Sequence, residues 1–308
     1  MEKIGFIGLG IMGKPMAQNL LKAGYPLIFH ARKSELIDEM KMAGATSVPS
    51  PRSVAESADI IITIVTADPQ VREVMLGPEG ILAGASAGQL VVDMSTISPL
   101  TTLEIAETAS ESGVHFMDAP VSGGESGAKE GKLTIMAGGQ REDFERCKNI
   151  FHVLGKKEKI FHVGAVSLGQ TVKMVNQFIG GITMAAIAEG LVLGIKAGAD
   201  PEVINQVVSV SSGNSALFQA RVKDYILKGN FEPGFFLDLK KKDLGIGLSM
   251  AKAMSMPAPI GAASYQMYAS ASSLGAGKLD FSAVCKAIET MSGTNIPHKE
   301  PSQSKTTD

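Results

Sequence analysis

The chain has 308 residues, 44% of them hydrophobic, and a formal charge of −2. That length predicts about two domains with full cores, and the near-neutral balance excludes a polybasic field for nucleic acid or an anionic membrane. Two cysteines, Cys147 and Cys285, give neither a disulfide framework nor a metal cluster. Together with an N-terminus lacking a basic stretch before a long apolar run, they lead us to expect a cytoplasmic protein without bound metal.

An apolar strand, Ile4–Ile7, opens the chain and runs straight into Gly8, Gly10 and Gly13. A helical pattern (Pro15, Met16, Ala17, Leu20, Leu21) follows and stops at Gly24. A strand, a G-x-G-x-x-G turn and a helix start predict a dinucleotide-binding βαβ unit, with Gly8, Leu9, Gly10, Ile11, Met12 and Gly13 as the phosphate turn. Gly8 permits the tight turn. Gly10 lets a pyrophosphate approach the helix N-terminus, and Gly13 lets helix and strand pack closely.

Further strands are expected at Leu27–His30, Ile60–Val65, Leu90–Asp93, Phe116–Ala119, Leu133–Ala137 and Ile160–His162. Most are separated by amphipathic runs such as Glu35–Ala43, Val71–Leu76, Thr102–Ser112 and Glu142–Leu154. The alternation predicts an α/β fold with a doubly wound parallel sheet of Rossmann type over 1–164. After Gly164 the strands cease, and 165–291 reads as an all-α substrate and dimerisation domain. A long helix from about Ser167 to Ala197 joins the two, and further pieces begin near Pro201, Ser215, Asp238 and Asp280. Residues 292–308 read as a loose polar tail.

Within the long helix, Phe178–Ile195 is apolar apart from Thr183 and Glu189. Its length alone would suit a membrane span. Glu189 and the polar approach of Lys173, Asn176 and Gln177 favour burial between domains or subunits instead. The expectation is a homodimer or homotetramer, with no membrane and no nucleic acid as partner.

The NAD form of this fold ends its second strand with an acid that binds the ribose 2′-OH. Here that position reads Ala31, followed by Arg32, Lys33 and Ser34. Two cations suit a 2′-phosphate, so NADP is expected over NAD; the plain alternative is a solvated basic turn. Ser122, Gly123 and Gly124 follow a strand at the edge where open α/β sheets bind ligands, and offer a hydroxyl and two backbone N–H groups to a carboxylate. Lys173, Asn176 and Gln177 lie at i, i+3 and i+4 and share a helix face. A lysine among apolar neighbours is suited to proton transfer at a reacting oxygen, although most helical lysines are merely solvated.

The glycine turn through Gly24, the segment Asp118-Ala-Pro-Val-Ser-Gly-Gly124 and the segment Gly169-Gln-Thr-Val-Lys-Met-Val-Asn-Gln177 occur in an order and spacing that resembles the β-hydroxyacid dehydrogenase family. The resemblance runs from Ile4 to about Met291. It implies that Lys173 is the catalytic acid/base, that Ser122, Gly123 and Gly124 hold the substrate carboxylate, and that Asn176 or Gln177 orients the substrate. Many members carry the working amide four residues after the Lys, where this chain has Gln177. Thr96 matches a residue near the nicotinamide ribose. Phe235, Lys242 and Asp243 match residues closing over substrate and cofactor. Val65 begins a turn that often reads Leu-Pro in relatives. The first half is most similar to the branch that reduces tartronate semialdehyde. Gly213–Arg221 and the Pro259 segment look more like threonate-type members. The implied reaction is reversible NADP-dependent hydride transfer between a small anionic semialdehyde and its 3-hydroxy acid. Alternatives are threonate, 3-hydroxyisobutyrate, succinate semialdehyde or sulfolactaldehyde as substrate, or a non-catalytic NADP-binding scaffold.

Overall fold

Runs of branched apolar residues become the centre of one sheet. β1 (Ile4–Ile7), β4 (Ile60–Thr63) and β5 (Leu90–Asp93) are buried at every position, as strands covered on both faces must be. The others are β2 (Leu27–His30), β3 (Thr46–Ser47), β6 (His115–Asp118), β7 (Val121–Ser122), β8 (Leu133–Gly138) and β9 (Gly155–Gly164). The order is β3-β2-β1-β4-β5-β6-β8-β7, with β9 on β8. The first six run parallel, the Rossmann arrangement. Ile7 pairs with His30 and with Thr63, Thr63 with Asp93, and Asp93 with Asp118. One rung therefore closes the carboxyl ends of five strands, and the loops that leave it share one edge.

The structure, a computed structural model, describes residues 1–298. Its strands and helices depart from the sequence reading at several points. The sheet is mixed, because the chain reverses between β7 and β8, so that β8 runs antiparallel to β6 and β7. β3 and β7 have two residues each, too short to leave a pattern. β9 begins at Gly155, not Ile160: Lys156, Lys157, Glu158 and Lys159 hide an edge strand behind the charges that edges commonly carry. The helix Pro259–Ser273 was also missed, since its Ala, Ser and Gly residues give no apolar stripe.

The packing divides the chain into two units, Met1–Met174 and a second that starts at Val175. The helix Leu168–Lys196 begins seven residues before Val175, and its first turn is bonded to the sheet unit through Asp118. The second unit, from Val175, is helical: Pro201–Val208, Ala216–Arg221, Leu237–Ala253, Pro259–Ser273 and Cys285–Ser292. Asp200 and Ser215 cap two of these helices through backbone N–H groups at Val203 and Phe218, among others. A Cβ on Gly247 or Gly261 would collide with the Phe178 ring, so two glycines admit that ring between helices. The expected loose tail is partly tied down. Ile296 is buried, its N–H donates to Glu289 Oε1 at 2.7 Å, and the His298 ring lies 3.1 Å from the Ile226 carbonyl. Residues 299–308 of that tail lie outside the described residues.

Helix Leu168–Lys196 is long and apolar enough, at a mean hydropathy of 1.9, to cross a membrane by length and composition. Packing within the chain buries only 33% of its most apolar window. Ile179 and Leu193 stand 59% and 70% exposed.

Candidate active site

β1 runs into Gly8, whose φ of +101° is a conformation L side chains rarely adopt; an added Cβ would collide with the Ile64 carbonyl oxygen. A Cβ on Gly13 would collide with the Gly8 carbonyl oxygen. These two glycines close the turn on itself. Gly10 differs, since a Cβ there would meet nothing within 4 Å. Internal packing does not require a glycine at that point, and the bare backbone suits close approach by a ligand. The helix Gly13–Lys22 starts without a side-chain cap or an acid in its first turn, which favours a phosphate at its N–H groups. Leu9 is buried and Met12 half-buried, while Ile11 is exposed beside Gly10.

β2 leads into half-buried Ala31 and exposed Arg32 and Lys33. Lys33 precedes the helix Ser34–Met42 and gives it no side-chain cap. β4 leads into Val65, whose N–H donates to Ser95 Oγ at 2.9 Å. Between them stands Asp93, fully buried, whose Oδ1 accepts from Thr63 Oγ1 at 2.7 Å and Ser95 Oγ at 2.6 Å. Among the described residues its Oδ2 has no hydrogen-bond partner, and burial pushes this carboxyl above the usual range. Thr96 follows, and both its neighbours are clamped by one side chain. Gln170 Nε2 donates to the Ser95 carbonyl at 2.7 Å, and Ile97 N–H donates to Gln170 Oε1 at 3.2 Å.

β6 ends at Asp118, which is fully buried. Its Oδ1 accepts from Ser167 N–H and its Oδ2 from Gln170 N–H, both at 2.7 Å. A strand-end carboxylate thus caps the first turn of Leu168–Lys196, where unpaired N–H groups and the helix dipole favour an anion. Burial pushes the carboxyl up to about 7 against the pull of those two bonds. Lys173 comes three residues after Gln170 and is 5% exposed. The proton-transfer candidate therefore stands one turn beyond a residue bonded to both the β5 and β6 strand ends. Ser122 lies half-buried on β7, opposite Thr134. Gly123 and Gly124 have φ of +141° and +62°, two successive left-handed positions that only glycines take without strain.

In the second unit, buried Gln177 donates through Nε2 to Asp243 Oδ2 at 2.5 Å, and its Oε1 accepts from Asn176 Nδ2 at 3.3 Å. Asp243 is 2% exposed and pairs with Lys242 at 3.1 Å. The resemblance puts Asp243 at the cofactor; Gln177 bonds its Oδ2, while its Oδ1 lies 3.1 Å from Lys242 Nζ and, among the described residues, accepts no hydrogen bond. Asn176 is exposed, and Phe235 is half-buried with its ring 6.1 Å from that of Phe281. Among the described residues, no group of three or more His, Cys, Asp or Glu is placed to hold a metal ion.

Comparison with known proteins decides the family. The family model for the NAD binding domain of 6-phosphogluconate dehydrogenase matches residues 3–164, and that for the NAD-binding region of NADP-dependent 3-hydroxyisobutyrate dehydrogenase matches 167–288. The chain is 42% identical to 2-(hydroxymethyl)glutarate dehydrogenase of Eubacterium barkeri, over 96% of this chain and 97% of that one. It is 41% identical to 2-hydroxy-3-oxopropionate reductase of Escherichia coli K12, over 96% and 99%. The solved 3-hydroxyisobutyrate dehydrogenase of Mycobacterium tuberculosis superposes with a TM-score of 0.84 at 30% identity, covering 94% of this chain and 99% of that one. The chain belongs to the β-hydroxyacid dehydrogenase family. As a β-hydroxyacid dehydrogenase it is an oxidoreductase acting on hydroxy acids with a nicotinamide dinucleotide. The open backbone at Gly10 and the uncapped helix behind it fit that cofactor.

Three residues of this β-hydroxyacid dehydrogenase were not singled out from sequence. Asp118 and Gln170 lie inside quoted motifs, but nothing local says that they bond to each other's segments. Lys240 is hidden in the run Lys240-Lys241-Lys242, of which the resemblance marks only Lys242. A helix turns those three lysines to different sides, and only Lys240 is nearly fully buried, at 4% exposed.

Proposed function

We propose that the protein interconverts 2-substituted 3-hydroxypropanoates, HOCH2–CHR–COO−, and their semialdehydes with NADP(H), and that Lys173 transfers the proton. The observation that carries this reading is Lys173 itself: a buried lysine on a helix turn that Asp118 and Gln170 fasten to the strand ends. The substrate names of relatives share one skeleton. 2-Hydroxy-3-oxopropionate, 3-hydroxyisobutyrate and 2-(hydroxymethyl)glutarate differ in R, which is hydroxyl, methyl or carboxyethyl. Tartronate semialdehyde, expected from sequence, is the case in which R is hydroxyl.

A bound nicotinamide supplies or accepts the hydride. In oxidation, neutral Lys173 takes the hydroxyl proton as the carbonyl forms; in reduction, its ammonium returns a proton to the developing alkoxide. Ser122 Oγ and the backbone N–H groups of Gly123 and Gly124 hold the carboxylate at C1. Gln177 is occupied by Asp243 and Asn176, so Asn176 is the amide that orients the substrate and Gln177 holds Asn176 in place. Gly8–Gly13, Val65, Thr96 and Lys242 take the cofactor, and Arg32 and Lys33 take its 2′-phosphate. A phosphorylated sugar acid is a poorer fit: the two lysines following the Ser122 loop, Lys129 and Lys132, each lie 2.6 Å from a glutamate partner, Glu125 and Glu130.

The test is steady-state kinetics on tartronate semialdehyde, methylmalonate semialdehyde and the semialdehyde of 2-(hydroxymethyl)glutarate, each with NADPH and NADH. Turnover of at least one, with NADPH preferred, is expected. Failure on all three overturns the substrate class, and a preference for NADH overturns the cofactor.

A further inference from the structure

The ladder of β5 ends at Asp93, and Ser95, Thr96 and Ile97 follow. A side chain from another element holds them. Gln170, in the first turn of helix Leu168–Lys196, is fully buried. Its Nε2 donates to the Ser95 carbonyl at 2.7 Å, and its Oε1 accepts from Ile97 N–H at 3.2 Å. In a parallel ladder a residue bonds the carbonyl before and the N–H after the residue that it faces. The Gln170 carboxamide reproduces that pair of bonds, and the residue that it faces is Thr96. Both peptide planes of Thr96 are thereby fixed as they would be on a strand. Its neighbour is fixed as well: Ser95 Oγ donates to Asp93 Oδ1 at 2.6 Å and accepts from Val65 N–H at 2.9 Å.

The backbone of Gln170 is held as firmly as its side chain. Its N–H donates to Asp118 Oδ2 at 2.7 Å. A Cβ on Gly169 would collide with that oxygen and with the Met136 carbonyl oxygen, so the start of the helix lies hard against the strand ends. Lys173 stands three residues further, about 4.5 Å along the helix axis, and is 5% exposed. One buried residue thus ties Thr96, Asp118 and Lys173 together, all within the first unit. Anchoring the helix needs only the backbone bond to Asp118. It does not need a carboxamide that reaches across to Thr96. In the reaction above, Thr96 meets the nicotinamide end of the cofactor and Lys173 moves the proton. Hydride and proton transfer at one carbon–oxygen bond require those two groups in register, and a misplacement of about 1 Å costs on the order of a hundredfold.

We propose that Gln170 is a positioning residue for the reaction: through Thr96 it sets the nicotinamide end of the cofactor in register with Lys173. This rests on the reading of Thr96 as a cofactor contact and of Lys173 as the proton-transfer group.

The experiment uses two variants. Gln170→Met keeps the length of the side chain and removes both bonds. Gln170→Glu keeps both while its carboxyl is protonated, because the hydroxyl can donate to the Ser95 carbonyl and the other oxygen can accept from Ile97 N–H; ionisation removes the donor. Burial and the nearby acids Asp93 and Asp118 favour the protonated form, and the Lys173 ammonium one turn on opposes them. For wild type and both variants, kcat and KM on the best semialdehyde are measured from mildly acid to mildly alkaline pH. Tm, the Kd of NADPH and the fluorescence anisotropy decay of bound NADPH are measured alongside. Gln170→Met should lower kcat roughly ten- to a hundredfold, with KM and Kd close to wild type, since the holds on the carboxylate and the phosphates are untouched. Its bound nicotinamide should gain fast local motion. Gln170→Glu should approach wild-type kcat at acid pH and fall toward Gln170→Met as pH rises, a dependence that a packing role would not give. A folded Gln170→Met with kcat within about threefold of wild type, below the cost of such a misplacement, or with unaltered nicotinamide motion, overturns the proposal. If Gln170→Met does not fold, the ratio of Gln170→Glu to wild-type kcat decides, and a ratio constant with pH overturns it. Failure of both variants to fold shows that Gln170 serves the fold alone, and overturns it too. If wild type turns over no semialdehyde, the reaction reading falls instead, and nicotinamide motion in whichever variant folds decides the role of Gln170.

Discussion

In the proposed reading, position 31 favours NADP by what it lacks. An acid there would accept the ribose hydroxyls and repel a phosphate; Ala31 does neither, and Arg32 and Lys33 beside it are exposed cations. Ala31→Asp combined with Arg32→Ala should move preference from NADPH toward NADH. Loss of one charge-assisted phosphate bond is worth about 1.5–3 kcal/mol, or roughly ten- to a hundredfold in affinity. Kd values for both cofactors check it, and an unchanged ratio removes Arg32 from recognition. Lys173 is tested by kcat on the best substrate at saturating cofactor. Lys173→Ala should lower kcat by roughly a hundred- to ten-thousandfold, the range of a lost general acid/base, while NADP binding stays near wild type. Lys173→Arg should recover little, because a guanidinium keeps its proton at working pH. A loss below about threefold for Lys173→Ala, outside that range, would pass the proton to another group.

At the scale of elements, Asp118 joins the end of β6 to the start of Leu168–Lys196, and that junction titrates. Its carboxyl ordinarily ionises near 3.8 and is pushed up to about 7 by burial. Between those values the unfolded chain releases the proton while the folded protein keeps it. Stability therefore falls as pH rises through that window and levels off above about 7. Asp93, raised by the same cause, adds a slope of the same sign. Asp118→Asn should flatten the decline in Tm between those pH values. It should also cost about 1–3 kcal/mol, since the amide NH2 faces a backbone N–H and one buried donor loses its acceptor. An unaltered Tm–pH profile would show that Asp118 stays ionised throughout. Such junctions are the part of the site that the sequence hides. Gly8, Gly10 and Gly13, the strands at 4, 27 and 90 and the long helix are legible because each is a local pattern of period or spacing. Asp118 bonding to Ser167 and Gln170, or Gln170 reaching Ser95 and Ile97, joins segments dozens of residues apart. The sequence names both ends of each bond and says nothing of the bond. Short strands such as β7, and Lys240 amid lysines, carry no periodic signal at all.

At the scale of the whole molecule, helix Leu168–Lys196 presents an apolar surface that its own chain does not cover. On helix Leu168–Lys196 the exposed apolar residues do not scatter. Val175, Ile179, Ala186 and Leu193 are exposed, and the last three repeat every seven residues, a stripe along one side. A bilayer demands apolar residues all round, and a charge such as exposed Glu189 near its centre costs about 2.5–3.5 kcal/mol. A single stripe with Glu189 beside it instead suits another helix of matching stripe, and a second copy of the chain supplies one. We therefore propose that the protein assembles through this stripe into a dimer or a larger closed oligomer. Light scattering at micromolar concentration should give a mass at least twice that of one chain. Ile179→Glu with Leu193→Glu should shift that mass toward the monomer, because two acids on the stripe would be buried unpaired opposite their own copies. A monomeric wild type, or a protein recovered only with membranes, would overturn the assembly. An oligomer indifferent to both substitutions would move the interface elsewhere and leave the stripe without an occupant.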